Sequence, residues 1–293
     1  MAKGYVIYNP LAGNGNAEED AKLLQMVLDE DLEYYDMTRI TNYSAFISGI
    51  EKEDYLVIVG GDGTLNRFAN DTADIEIRQE ILYFPTGTGN DFARELGANG
   101  NPVVITQHLK NLPCVEVKGN RYRFINGVGF GIDGYCCQVG DELKKIPGKK
   151  VNYTGIAIKG LLFHFAARNA KVMVDGKEYT YEKVWIAPTM HGRFYGGGMI
   201  PTPEQDRASD KLSLMLFHGA GRFRTLCVFP SIFKGEHIKH TKMVAVHTGQ
   251  EITVEFDRPT PLQIDGETIL DVTQYTARAA ACNINRTKEK VLC

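Results

Sequence analysis

A chain of 293 residues is longer than one hydrophobic core normally spans, so two domains or one elaborated domain are expected. Apolar residues at 43% and charged residues at 24% exclude a disordered chain, and a net charge of -3 argues against nucleic acid bound through overall charge. Six cysteines with no CxxC pair and no His/Cys zinc spacing read as reduced thiols. No apolar run approaches the roughly 18 residues that span a bilayer, and MAKGYVIYNP lacks signal-peptide regions, so a cytoplasmic protein is expected.

In chain order, Tyr5–Tyr8 is a short apolar strand that ends in a Gly-rich turn. A helix follows over 17–30, with Leu24, Val27 and Leu28 at helical spacing and acidic residues in its first turn. Further strands are predicted over 33–38, 55–59 and 81–84, and further helices over 44–50, 65–72 and 91–96, the last stopped by Gly97. Four strand–helix units imply a parallel sheet with helices on its faces. After about residue 112 the period changes. Segments 115–117 and 122–125 read as a hairpin, and 171–174 and 178–184 flank the turn signal Asp175-Gly176. Strands over 212–217, 243–247, 252–256 and 262–264 continue the pattern, with helical interruptions near 155–167 and 223–233. The expected fold is therefore an α/β domain with a parallel sheet over 1–115, then a mainly antiparallel β-sandwich over 116–293.

Three glycine-rich loops carry the chemistry. They are Asn9-Pro10-Leu11-Ala12-Gly13-Asn14-Gly15 after strand one, Gly60-Gly61-Asp62-Gly63-Thr64-Leu65-Asn66 after strand three, and Pro85-Thr86-Gly87-Thr88-Gly89-Asn90-Asp91 after strand four. Ligands of open α/β sheets bind beyond the carboxyl ends of the strands, so the three loops should converge. Glycine lets a phosphate approach backbone amides, helix N-termini supply unpaired N–H donors, and Thr64 and Thr88 add hydroxyls. Asp62 repels phosphate and makes sense there as a Mg²⁺ ligand. Any one loop alone reads equally as a plain strand-to-helix turn, and it is three in succession, each at a strand's carboxyl end, that point to a phosphate site. No P-loop, no Rossmann fingerprint and no protein-kinase H-R-D or D-F-G is present.

The segments YNPLAGNG at 8–15, GGDGTLN at 60–66, PTGTGNDFAR at 85–94 and IDGE at 264–267 resemble the catalytic domain of diacylglycerol kinases and their bacterial lipid-kinase relatives. NGVGFGID at 126–133 and YGGGMIPTP at 195–203 extend the resemblance over nearly the whole chain. GGDGT is shared with NAD kinases and phosphofructokinases, whereas PTGTGNDFAR is more specific to lipid kinases. The resemblance implies an NAD-kinase/phosphofructokinase-like nucleotide domain, a β-sandwich lipid domain and an active site in the cleft between them. It also leaves the extreme C-terminal segment able to pack back on the first domain. It implies ATP contacts at Asn9, Pro10, Leu11, Ala12, Gly13, Thr38, Gly61, Asp62, Gly63, Thr64, Leu65, Asn66, Arg67 and Thr88, with Asp62 organising the catalytic Mg²⁺ and Asp91 shaping the site. Glu267 would be the base that takes the proton of a lipid hydroxyl, and Asp265 its partner or a metal-side carboxylate. A second, structural Mg²⁺ is implied near Asp206, Asp210 and the Leu212 carbonyl, although Lys211 stands where a glycine is expected.

Lys144, Lys145, Lys149 and Lys150 precede an apolar stretch, 153–165. The reading adopted is a helix that covers the β-body with its lysines in solvent; the alternative is a face for anionic lipid. His237, Lys239, His240 and Lys242 read as a solvated loop. The expected partner is a lipid substrate met transiently at a membrane surface, and diacylglycerol is favoured by resemblance only. The rivals are a kinase of a soluble acceptor such as NAD and a non-catalytic lipid- or nucleotide-binding protein. Nothing in the sequence fixes the oligomeric state; a homodimer is one option.

Overall fold

The alternation of strand and helix at the start of the chain builds a five-stranded sheet. Strands β1 (Gly4–Tyr8), β2 (Leu32–Asp36), β3 (Tyr55–Gly60), β4 (Glu80–Pro85) and β5 (Val103–Val104) lie in the order β2-β1-β3-β4-β5. The first four are parallel and β5 closes the edge antiparallel. The computed structural model describes residues 2–11, 17–28, 30–87, 89–146 and 151–279. Helices α1 (Ala17–Val27), α2 (Tyr43–Ser48), α3 (Asp62–Asp71) and α4 (Asp91–Glu95) belong to this part. Ala21 and Leu24 of α1 pack with Val6, Val57, Val59 and Phe84, which is why β3 is buried along its whole length. Parallel pairing puts the ends of β1 to β4 on one edge, so the chain leaves Tyr8, Asp36, Gly60 and Pro85 on the same side. Helix α3 starts three residues earlier than its apolar pattern suggests. Its N-cap is Gly61, whose carbonyl accepts the Leu65 N–H (3.2 Å), so Asp62, Gly63 and Thr64 form a first turn rather than a loop.

The chain divides into two units between Leu112 and Pro113. The second consists of β6 (Cys114–Val117), β7 (Asn120–Arg123), β8 (Gly127–Gly131), β9 (Arg168–Val174), β10 (Lys177–Val184), β11 (Ile186–Met190), β12 (Leu212–Phe217), β13 (Val244–Gly249), β14 (Glu251–Ile264) and β15 (Glu267–Arg278). They form one antiparallel ten-stranded sheet along the path β13-β12-β11-β8-β14-β15-β6-β7, with β9 on β14 and β10 on β9. Strand β14 carries two roles. Its Ile252–Phe256 half pairs with β9 and its Leu262–Ile264 half with β8, across a break in register that contains Pro259 and Pro261. The sheet thereby folds over a core in which Phe130 stacks on Phe256 (centroids 4.1 Å apart) and meets Tyr275 edge-on.

Three helices cover a second apolar cluster around Leu161, Phe165, Trp185, Phe217 and Ile232. They are α5 (Ile132–Lys144), α6 (Tyr153–Lys159), which runs on as a π-turn Gly160–His164, and α7 (Arg222–Val228), which runs on as a 3-10 turn Phe229–Lys234. Two-residue turns close the hairpins β6–β7, β9–β10 and β14–β15, with positive φ at Lys118-Gly119, Asp175-Gly176 and Asp265-Gly266.

Several sequence expectations are corrected here. Helix α5 and strands β8, β11 and β15 have no counterpart among the predicted elements. The glycines of 127–134 hide both β8 and the start of α5, because such residues read as turn formers until their neighbours are known. At Gly129 an added Cβ would lie 1.6 Å from Asp133 Oδ2, so glycine is a packing requirement there. His237, expected in a solvated loop, is fully buried, stacked on Phe217 and hydrogen-bonded to the Pro201 carbonyl (2.8 Å); burial pushes its pKa down. Cys136, Cys137 and Cys227 are free thiols, but Cys114 is disulfide-bonded. Cys114 pairs with Arg278 at the end of β15, which places it where the last segment of the chain begins. Among the described residues no helix is long and apolar enough to cross a membrane.

Candidate functional site

Two of the glycine loops meet at the carboxyl edge of the parallel sheet. The Thr86 N–H donates to the Gly60 carbonyl (3.0 Å), and a Cβ added at Gly87 would stand 2.6 Å from the Gly61 Cα. Glycine at 87 allows this approach, whereas a Cβ at Gly61 would meet the Gly87 Cα at 3.3 Å. The contact is locked across the loops by Asp62, whose Oδ2 accepts the Asp91 N–H (2.7 Å) and whose Oδ1 accepts the Phe92 N–H (3.3 Å). Asn90 holds the far side, with φ at 44° and its Nδ2 donating to the Gly87 carbonyl (2.6 Å).

The electrostatics of this edge combine donors with buried acid. Asp62 is half-buried and Asp91 is 3% exposed. Beneath them the Tyr83 phenol is pushed well above its ordinary pKa, first by burial and then by the charges of Asp62 and Asp91. Thr64, in the first turn of α3, is 3% exposed, and its hydroxyl makes no hydrogen bond among the described residues. The first N–H groups of an α-helix lack intrahelical partners, so α3 offers amides and a hydroxyl together. This donor set fits a phosphate chain. Asp62 fits its counter-cation, because a carboxylate oxygen that accepts one N–H retains a lone pair.

The other expected nucleotide contacts divide. Asn9 and Thr38 follow β1 and β2 on the same edge; Asn9 Oδ1 accepts the Leu11 N–H (3.1 Å), and Thr38 bonds the Asp36 carboxylate through its N–H and hydroxyl. Pro10 is half-buried there, and Leu11 is 74% exposed. Leu65 and Asn66 face inward, Leu65 in the core and Asn66 bonded to Asn70. Arg67 lies one turn from Asp71 and pairs with it at 3.5 Å. Gly61 and Gly63 stand at the start of α3. Ala12, Gly13 and Thr88 lie outside the described residues.

In the second unit the IDGE segment forms the β14–β15 hairpin. Asp265 Oδ1 accepts the N–H groups of Asn126 (2.8 Å) and Gly127 (2.9 Å), and Oδ2 accepts that of Ile125. Three amides on one carboxylate make Asp265 an anchor that fixes the hairpin to the entry of β8. Gln263 Oε1 adds a bond from the Gly266 N–H (2.7 Å). Glu267 emerges from this braced turn as an exposed carboxylate at the first position of β15. Behind the hairpin lies Asp133, which the sequence reading left without a role. It is 6% exposed, and its Oδ1 accepts the Gly134 N–H (2.9 Å). The Gln263 amide and Tyr195 hydroxyl stand beside Oδ2 without a bond of good geometry, and burial pushes the pKa up to about 7.

The residues implied for a second Mg²⁺ form no ready cage. Asp206 is exposed and accepts the Ala208 N–H (2.9 Å) in its own turn; Asp210 is exposed and accepts from Gln250 Nε2 (2.7 Å). Gln205 Nε2 donates to the carbonyls of His191, Asp206 and Lys211, and the Ser209 hydroxyl reaches Asp206 and Lys211 as well. Leu212 begins β12 opposite Gly249 and is buried. Arg207 adds a fixed positive charge, with bonds to the Ile125 carbonyl, Asn126 Oδ1 (2.9 Å) and His191 Nδ1 (3.2 Å). No group of three or more His, Cys, Asp or Glu among the described residues could hold a metal.

Comparisons with known proteins bear on both units. Residues 3–117 match the diacylglycerol kinase catalytic domain, and residues 126–282 match the YegS C-terminal NAD kinase β-sandwich-like domain. The chain is 24% identical to "Putative lipid kinase YtlR" of Bacillus subtilis over 94% of its own length and 96% of that protein. It is 28% identical to "Putative lipid kinase SAS0691" of Staphylococcus aureus, over 74% and 72% of the two chains. A crystal structure described as a putative diacylglycerol kinase from Bacillus anthracis superimposes with a TM-score of 0.65 at 20% identity, over 94% of this chain and 91% of that one, which shows the shared fold. With a glycine-bounded edge on a parallel sheet in one unit and a braced IDGE hairpin in the other, the chain belongs to the family of the YegS C-terminal NAD kinase β-sandwich-like domain, whose model spans more than half of it, and its first unit matches the diacylglycerol kinase catalytic domain.

Proposed function

We propose that this protein transfers the γ-phosphate of ATP to a lipid hydroxyl, with diacylglycerol as the foremost acceptor and phosphatidic acid as its product. The observation that carries the reading is the Gly61–Gly87 apposition bridged by Asp62, which sets the first turn of α3 at one edge of the sheet. Support for a lipid acceptor comes from PTGTGNDFAR and from the match to the diacylglycerol kinase catalytic domain. Asn9, Thr38 and Gly61 to Thr64 hold and orient the triphosphate, and Asp62 orients its cation. Mg²⁺, when bound, neutralises charge on the phosphate oxygens.

Glu267 takes the proton of the acceptor hydroxyl as that oxygen bonds to the γ-phosphorus. The bond from the γ-phosphorus to the β-bridging oxygen breaks, and ADP leaves. Asp265 keeps Glu267 in place through the amides of residues 125–127 and is a positioning residue rather than a metal-side one. The protein works at the cytoplasmic face of a membrane, where its acceptor resides.

The deciding experiment supplies γ-labelled ATP and Mg²⁺ with diacylglycerol, phosphatidylglycerol, a sphingoid base, undecaprenol and NAD. Label in an extractable lipid is the expected result. Label in NAD alone, or ATP binding with no transfer to any acceptor, would overturn the reading.

A further inference from the structure

The geometry points to a docking face for an anionic lipid bilayer on the second unit, built by α6 with its π-turn and α7 with its 3-10 turn. These two segments are remote in sequence, but the Arg222 guanidinium ties them by donating to the Leu162 carbonyl (2.6 Å) while lying over the Trp185 ring. That bond brings the residues next to its ends, Phe163 and Phe223, to the same junction. Both are exposed, at 71% and 78%, although the side chains beneath them, Leu161, Phe165 and Ile232, are almost wholly buried. Ile158 and Phe233 extend the apolar surface at 42% each. A helix that only covers a core has no reason to turn its phenylalanines outward.

Charge selects the occupant. In a chain of net charge -3, neither Tyr153–His164 nor Arg222–Lys234 contains an Asp or Glu. Lys159, Arg224 and Lys234 are exposed on those same segments. Exposed phenyl rings among basic groups and no acid match the headgroup boundary of an anionic membrane, where rings enter and cations stay with the lipid charge. Lys144, by contrast, is paired with Asp141 (3.1 Å), and Lys149 and Lys150 lie outside the described residues. The inference rests on the lipid-kinase reading for its purpose, since an acceptor embedded in a bilayer has to be reached there.

The test is flotation of the full chain with phosphatidylcholine vesicles, with and without a quarter phosphatidylglycerol. The protein is expected to float with the anionic vesicles, to be released by added salt, and to remain with the pellet when the vesicles are neutral. Each basic residue near an anionic surface contributes about 1 kcal/mol, so Arg224→Gln is expected to weaken partition roughly fivefold. Phe163→Ser combined with Phe223→Ser is expected to weaken it at least tenfold, with thermal unfolding unchanged because both side chains are exposed. A fluorophore on the exposed Cys227 of α7 should shift to the blue on anionic vesicles. Partition that ignores these substitutions, or that is equal on neutral vesicles, would overturn the docking face. Phosphoryl transfer to a short-chain, water-dispersed diacylglycerol separates the two readings: it should persist in all the variants, and its absence in the native chain counts against the kinase alone.

Discussion

Glu267 owes its position to a turn whose carboxylate is spent on backbone. Asp265 satisfies three amides at the entry of β8, and Glu267, two residues on, is left exposed. Glu267→Gln is therefore expected to lower turnover by two orders of magnitude or more, the range of general-base catalysis, while ATP affinity persists. A variant with native turnover would remove Glu267 as the base. Asp133 belongs to the same scale with a different consequence. Its folded pKa of about 7 lies above the ordinary value of 3.8, so the native state holds this proton more tightly than the unfolded chain. Between pH 4 and 7 that difference makes stability fall as pH rises, and above pH 7 its contribution is flat. Asp133→Asn is expected to reduce that slope in denaturant titrations across pH 4–7. An unchanged slope would show that Asp133 ionises normally.

The elements set which substitutions the chain tolerates. Strand β8 carries a glycine at every second position, and Gly129 lies against Asp133 and against Gln263, which braces the hairpin that carries Glu267. Gly129→Ala is expected to cost about 1–3 kcal/mol through overpacking and to lower the melting temperature. A variant that melts like the native chain would mean that β8 yields more easily than its contacts indicate. At the carboxyl edge of the parallel sheet, Asp62 holds the first amides of α4. Asp62→Asn keeps an oxygen for one N–H, so the loss of stability is expected to stay near 1 kcal/mol. Activity should then require more Mg²⁺. A native Mg²⁺ titration would leave Asp62 as a cap and nothing else.

At the scale of the whole molecule, ligand and fold are coupled by mass action. ATP with Mg²⁺ at 100 times its dissociation constant is expected to stabilise the chain by about 2.7 kcal/mol, read as a rise in melting temperature. Glu267→Gln should show the same rise as the native chain, because its role begins after binding. The absence of a rise in the native chain would contradict a triphosphate site at the β3 and β4 loops.

By itself, the sequence determined the parallel sheet, the antiparallel second unit and two of the glycine loops, because strand periodicity and turn chemistry are local. GGDGTLN and PTGTGNDFAR marked the two loops that meet at the carboxyl edge of the sheet. Tertiary structure decided the rest, because those outcomes depend on partners distant in the chain. It showed that Asp62 reaches across to cap the helix of the next loop and that Asp265 is bound by amides 140 residues away. It showed that Gln205, Ser209 and Arg207 knit the loop around Asp206, and that Arg222 ties the segments carrying the exposed Phe163 and Phe223. No periodicity records which carboxylate is consumed by backbone and which stands exposed at the start of a strand. That choice is made only when strands from different parts of the chain pair.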